Sequence, residues 1–273
     1  YGGYPDIKPE QSESLSMGVI LKPRLLAGLR ISADYTRIRK IDEVQTPEMQ
    51  LLLDFEDALP GRIMRGEKLP GDPADWAGPI TAFNLGYINI ANTTLEAVDI
   101  QADYLVETAR AGELRWYVLG TWTSHFRKQS LPSVPELENV GYLSGPLKWR
   151  GNFGVDWTRG DLSIGWNAQY FGPYIPYFAS SSNEEYDRNF LLSQGASRLE
   201  AQIFHDLLVS YRFGGNGHGL LSDTRISVGI QNVLNTSPAI LAVIGPLNGR
   251  TYSPFGDPRM RRYSISIRRA FGK

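Results

Sequence analysis

The sequence predicts an all-β chain: about nine strands of an antiparallel, up-and-down transmembrane β-barrel. Three observations predict it. Apolar and polar residues alternate with a period of two in nine segments, each near the ~9–11 residues that a tilted strand needs to cross a bilayer. The connections between those segments run short, long, short, long to the end of the chain. A soluble barrel has no reason to gather its long loops at one end, whereas outer-membrane barrels keep short turns on one side and long loops on the other. Aromatic residues also lie toward strand ends on the apolar face (Trp149, Trp157, Trp166, Tyr170, Tyr211 and Phe213), where interfacial girdles belong.

Taken in order, residues 1–11 are polar and contain Pro, which predicts a loop. Leu15, Met17, Val19 and Leu21 form one face of a first strand, ended by Pro23. Leu29, Ile31, Ala33 and Tyr35 make the second. A long excursion over 40–79 follows. It has helical spacing between Pro47 and Ala58 and turn signals at Pro60-Gly61, Pro70-Gly71 and Gly78-Pro79; residues 80–91 are a candidate β-segment. The third strand carries Val98, Ile100, Ala102, Tyr104 and Val106 against Asp99, Gln101 and Asp103. The fourth carries Leu114, Trp116, Val118 and Trp122 against Arg115 and Thr121, with a loop predicted over 127–146. Trp149, Phe153, Val155 and Trp157 face away from Arg150, Asn152 and Asp156. A tight turn at Arg159-Gly160-Asp161 leads to Ile164, Trp166, Ala168 and Tyr170, opposed by Asn167 and Gln169. The next loop, 172–198, is rich in Tyr, Ser and Asn. Ile203, Leu207, Val209, Tyr211 and Phe213 oppose Gln202, Asp206, Ser210 and Arg212. Ile226, Val228 and Ile230 oppose Arg225, Ser227 and Gln231, and 235–258 is the last long loop. The closing strand alternates Tyr263, Ile265, Ile267 and Phe271 with Arg262, Ser264, Ser266 and Arg268.

Composition excludes several classes. The formal net charge is -1, which leaves no nucleic-acid footprint. There is no cysteine, hence no disulfide scaffold and no thiolate metal site. No run of about 18 apolar residues offers a transmembrane helix, but barrel strands hide their hydrophobicity by alternation. Tyr1-Gly2-Gly3-Tyr4-Pro5 has neither the basic start nor the apolar stretch of a signal peptide, so a mature protein or a fragment is expected.

No catalytic set, cofactor site or metal site emerges. His125, His205 and His218 are scattered, and each reads as a structural or solvated histidine. Gly214-Gly215-Asn216-Gly217-His218-Gly219 lacks the Gly-Lys-Ser/Thr of a phosphate loop. Two sets remain as candidate functional residues. Asp99, Gln101, Asp103, Arg115, Arg150, Asp156, Gln169, Gln202 and Asp206 line the wet face, where charges of both signs suit a hydrated lumen or a wall that grips an inserted domain. Tyr174, Tyr177, Phe178 and Tyr186 make the third long loop an aromatic surface that can stack on a flat ligand.

Several stretches resemble TonB-dependent outer-membrane receptors. Pro5-Asp6-Ile7-Lys8-Pro9-Glu10-Gln11-Ser12 is similar to a Pro-x-Leu-Lys-Pro-Glu-x-Ser segment of that family. Leu95-Glu96-Ala97-Val98-Asp99 resembles its Glu-Gly-Ile/Val-Asp strand start, with Ala97 in place of Gly. Asn232-Val233-Leu234-Asn235 resembles its Asn-Leu-Phe-Asp. The final strand, with its late aromatic Phe271, resembles the signal of Tyr263, Ile265, Ile267 and Phe271 type read by the barrel-assembly machinery; Arg269 departs from it. The resemblance implies a barrel of 22 strands, of which this chain would supply the C-terminal nine over 1–273, with the plug domain outside it. It implies as partners the plug and the remaining strands, outer-membrane lipid and lipopolysaccharide, and the TonB energy-coupling complex. It implies the outer membrane of a Gram-negative bacterium, no enzymatic activity, and energised uptake of a large scarce nutrient such as a ferric siderophore. A passive porin-like, adhesive or structural barrel is the alternative, and a soluble lectin-like β-protein a third reading.

Overall fold

A computed structural model describes residues 7–47, 49–179, 184–214, 222–243 and 249–270. Nine strands follow one another in sequence across a single antiparallel path: β1 (Gln11–Leu21), β2 (Leu29–Gln45), β5 (Ile88–Thr108), β6 (Gly112–Gln129), β8 (Trp149–Arg159), β9 (Leu162–Phe171), β10 (Gln202–Phe213), β11 (Thr224–Gln231) and β14 (Arg262–Arg269). The short β7 (Leu137–Glu138) pairs with β6, beside the path. Among the described residues β1 and β14 are not paired with each other, so the sheet is open. All nine predicted strands are present, and the short and long connections alternate as expected.

Several boundaries differ from the expectation. The loop expected from residue 40 begins later, because β2 runs on to Gln45. Residues 80–91 divide into β4 (Ile80–Phe83) and the start of β5, which is 21 residues long. At ~3.3 Å per residue such a strand is about 70 Å long, more than twice the ~30 Å hydrocarbon layer. The loop over 127–146 likewise starts inside β6 and contains β7. The helix expected between 47 and 58 is α1 (Met49–Asp54), followed by a 3-10 turn at Glu56–Ala58. The third long loop contains α2 (Glu184–Gln194), and the fourth contains the hairpin β12 (Ile240–Val243) and β13 (Gly249–Tyr252).

The chain forms two compact units. The first comprises Tyr1–Ser14, Ile38–Thr94 and Arg127–Leu137. Here β3 (Ile63–Arg65) pairs with β4, and Leu52 is fully buried. Arg65 clamps Glu56 through two bonds of 2.8 and 2.7 Å and also donates to the Gly78 carbonyl. Arg62 donates to the Gly86 carbonyl at 2.7 Å, tying the hairpin to the approach to β5. Asn89 bridges Lys8 and Asp42, and Thr93 donates to Glu43 at 2.7 Å.

The second unit comprises Leu15–Arg37, Leu95–Phe126 and Glu138–Lys273. Its register keeps like faces together. Trp116 sits opposite Val155, Val155 opposite Trp166, Trp166 opposite Leu207, Leu207 opposite Ile230 and Ile230 opposite Tyr263. This apolar row crosses six strands. Val118 and Val228 on the same face are 47% and 41% exposed, as expected of a surface made for lipid rather than for a packed interior. Trp166 lies in the middle of β9, not at its end as the girdle reading had it; it stacks on His205 at 5.6 Å and meets Phe153 edge-on. Close approach fixes two glycines. Gly112 has φ +82 and a Cβ there would lie 2.2 Å from the Thr158 carbonyl oxygen, while a Cβ at Gly154 would meet the Tyr117 hydroxyl at 2.6 Å.

Candidate functional site

The wet face of the second unit is a wall of paired charges and amides. Arg115 stands opposite Asp156 on β8 and is bonded through its guanidinium to Asp103 of β5. Thr121 donates to Asp99 at 2.7 Å, and stands opposite Arg150. Asn152 faces Gln169, whose amide donates to Asp206 at 3.1 Å. The other Asp206 oxygen accepts the Asn232 N–H at 2.8 Å, which anchors the end of β11. Tyr117 covers Gly154 and donates to Asn167 at 3.1 Å. Asp34, Asp99, Gln101, Thr121, Arg150 and Gln169 line a hollow of about 410 Å³. Arg150 forms no ion pair among the described residues, so its cation stands open to that hollow beside the amides of Asn152 and Gln169. All nine predicted wall residues therefore share one face of the sheet. Gln202, at the loop end of β10, also ties the root of the last long loop: its amide donates to the Ser237 carbonyl and accepts the Ala239 N–H.

The long loops of this unit are packed against one another. Leu147, Tyr174 and Leu241 form a buried cluster, with Leu143, Phe171, Leu199 and Phe255 against it. Tyr174 is 3% exposed, donates to Ser253 at 2.7 Å and meets Phe255 edge-on at 5.1 Å. Burial pushes its hydroxyl pKa up, and the Ser253 bond offsets part of that. Tyr177 meets Tyr142 edge-on and leans on Phe190. The predicted aromatic loop thus divides: Tyr174 holds loops together, while Phe178 is 53% exposed. The side chain of Tyr186 lies outside the described residues, as does Phe271 of the terminal-strand signal. Tyr263, Ile265 and Ile267 are 69%, 73% and 68% exposed along one face of β14.

Two latches had no sequence signal, because their partners are joined by loop folding rather than by period. Glu138 accepts the Phe126 and Val140 N–H groups and contacts the His125 ring at 2.8 Å. Burial pushes its carboxyl up, but these hydrogen bonds outweigh it and hold the pKa below the usual range. Asp257 grips Arg259 through both oxygens and Arg262 at 2.8 Å, and the Arg259 bonds pull its pKa down to about 2. Of the other histidines, His205 stacks on Trp166 and His218 lies outside the described residues.

A sheet wet on one side and greasy on the other, with turns at one end and packed loops at the other, needs lipid against one face and water against the opposite one. That is the wall of a transmembrane β-barrel. The sequence matches the family described as "TonB dependent receptor-like, beta-barrel" over residues 1–233, and the chain belongs to that family. No curated protein sequence matches it. Among solved structures it is similar to a mutant of the ferric enterobactin receptor PfeA of Pseudomonas aeruginosa, with a TM-score of 0.58 and 14% identity over 94% of this chain and 31% of that one. It is also similar to the siderophore receptor PirA of Acinetobacter baumannii (TM-score 0.57, 13% identity, 96% and 32% covered). The outer membrane transporter YddB of Escherichia coli is a third (0.54, 13%, 97% and 33%). At these identities the likeness is one of fold. The chain spans about a third of the length of these structures.

Proposed function

We propose that the chain forms the C-terminal part of the barrel wall of an outer-membrane receptor that takes up a large scarce nutrient, such as a ferric siderophore, by TonB-dependent transport. Family membership carries the reading. The wall of mixed charge supports it: a rigid face of compensated ion pairs such as Arg115 with Asp103 and Asp156 offers a plug domain a polar seat, with Arg150 left to bond it. Asp99, Gln101, Asp103, Asp156, Gln169 and Asp206 complete that seat, with Gln202 at its loop end. Specific recognition requires convergent groups around the ligand, and we read the hollow beside Arg150 as part of the plug's seat. Ligand contact therefore belongs to the plug and the long loops, with Phe178 the ring best presented and Tyr174, Tyr177 and Tyr186 supporting or joining it. Energy enters through the plug and the TonB complex, and β14 with Tyr263, Ile265, Ile267 and Phe271 is the strand read during assembly.

The test is uptake of ferric siderophores, cobalamin and oligosaccharides by cells expressing the full-length gene, with and without the proton gradient. Uptake of one of these that stops when the gradient collapses supports the reading. Uptake that survives collapse replaces it with a passive pore.

A further inference from the structure

We propose that the wet face of β10, β11 and β14, at its short-turn end, is a docking surface for an acidic segment of a partner polypeptide. Arg212 stands directly opposite Arg225, and Arg225 directly opposite Arg268. All three are exposed. Their Cβ atoms are therefore neighbours at about 5 Å, a like-charge arrangement that destabilises a sheet when nothing offsets it. Some other arginines of this unit have carboxylates: Arg115 has Asp103 and Asp156, while Arg259 and Arg262 share Asp257; Arg150, like these three, has none among the described residues. Among the described residues these three form no ion pair, although Asp161 and Asp223 occupy the adjoining turns. Residues 215–221, between β10 and β11 in the sequence, contain no Asp or Glu.

The next row of the same face is a line of hydroxyls. Thr158 pairs with Ser163, Ser163 with Ser210, Ser210 with Ser227 and Ser227 with Ser266. Thr158 donates to Ser163 at 3.2 Å and Ser210 to Ser227 at 2.9 Å. Hydroxyls beside guanidiniums offer donors and acceptors to a peptide backbone as well as cations to its carboxylates. The form of the site decides what fits. With strands ~4.8 Å apart, the three cations span about 10 Å. One phosphate reaches at most two of them, whereas successive acidic side chains on an extended chain reach all three. Lipid is disfavoured by the face: Tyr211, Ile226 and Ile267 stand in register on the opposite, apolar side, where acyl chains and their headgroups lie. This inference goes beyond the transport reading and does not depend on which nutrient is carried.

The experiment uses the full-length receptor in neutral detergent and a fluorescein-labelled oligo-aspartate peptide, read by anisotropy at low salt. Saturable binding is expected, with none for the oligo-asparagine peptide. Arg212→Gln/Arg225→Gln/Arg268→Gln should weaken it at least tenfold, and the matching triple Lys variant should bind within about threefold of wild type. Circular dichroism checks assembly; if the triple Gln variant does not assemble, Arg225→Gln alone should still weaken binding several-fold. Absence of binding by wild type, equal binding by the Gln variants, or displacement of the peptide by equimolar inorganic phosphate or anionic lipid micelles would overturn the proposal.

Discussion

Tyr174 shows how a residue's chemistry and its place separate. A tyrosine in a long outer loop suits a ligand surface, yet here its ring is buried against Phe255 and its hydroxyl donates to Ser253. Tyr174→Phe keeps the ring and removes one bond, so it should cost about 1 kcal/mol. Tyr174→Ala opens a cavity and should cost on the order of 3 kcal/mol. Denaturant titration of the refolded receptor measures both. Phe178→Ala, at an exposed ring, should leave stability within about 0.5 kcal/mol, and any loss of nutrient affinity there would come from contact rather than folding. Asp257 provides a pH prediction at the same scale. Its folded pKa of about 2 lies below the ordinary 3.8, so the unfolded state binds the proton more readily. Its contribution is complete above the ordinary value and is lost as pH falls from there through about 2. Protection of the Arg259 amide, which donates to Asp257, should fall across that window in hydrogen exchange and should be low throughout in Asp257→Asn.

At the scale of the strand, face decides cost. Val118 and Val228 lie mid-strand in the apolar rows, and either changed to Arg should lose roughly 2–4 kcal/mol at the bilayer midplane. Thr121→Arg, on the wet face opposite Arg150, should lose far less. Refolding into lipid with a urea titration separates them, and equal losses on both faces would describe a two-sided soluble core. Gly154→Ala tests close approach instead, because its methyl would lie 2.3 Å from the Trp166 carbonyl oxygen of the neighbouring strand and also meet the Tyr117 hydroxyl that bonds Asn167. A loss of 1–3 kcal/mol, the range for overpacking, is expected from the same titration.

For the whole molecule the governing feature is sidedness. Arg110 lies in a short turn, and Ser197 in the third long loop. Cysteine at Ser197 in the full-length protein should react with an impermeant reagent on intact cells, while cysteine at Arg110 should react only after the outer membrane is opened. Labelling of both on intact cells would dissolve the assignment. The same logic explains the odd number of strands in the path: β1 and β14 run in the same direction, and antiparallel closure between them is impossible. In lipid, bare edges leave several kcal/mol of unsatisfied backbone per group.

The sequence by itself determined the nine strands, their faces and the sidedness of the loops. It could do so because lipid imposes a strict period of two, and Val118, Asp99 or Ile265 each report the medium beside them. That signal ends where the lipid ends. β2 runs on through residues 41–45, where the sequence predicts loop, because the mixed composition there carries no clean alternation. Only the tertiary structure decided that Tyr174 is buried, that Gln202 and Asp257 latch a loop, and that Arg212, Arg225 and Arg268 share a row. Each of these depends on register or loop packing between residues far apart in the chain, and a local alternation carries no information about which distant strand or loop lies beside it.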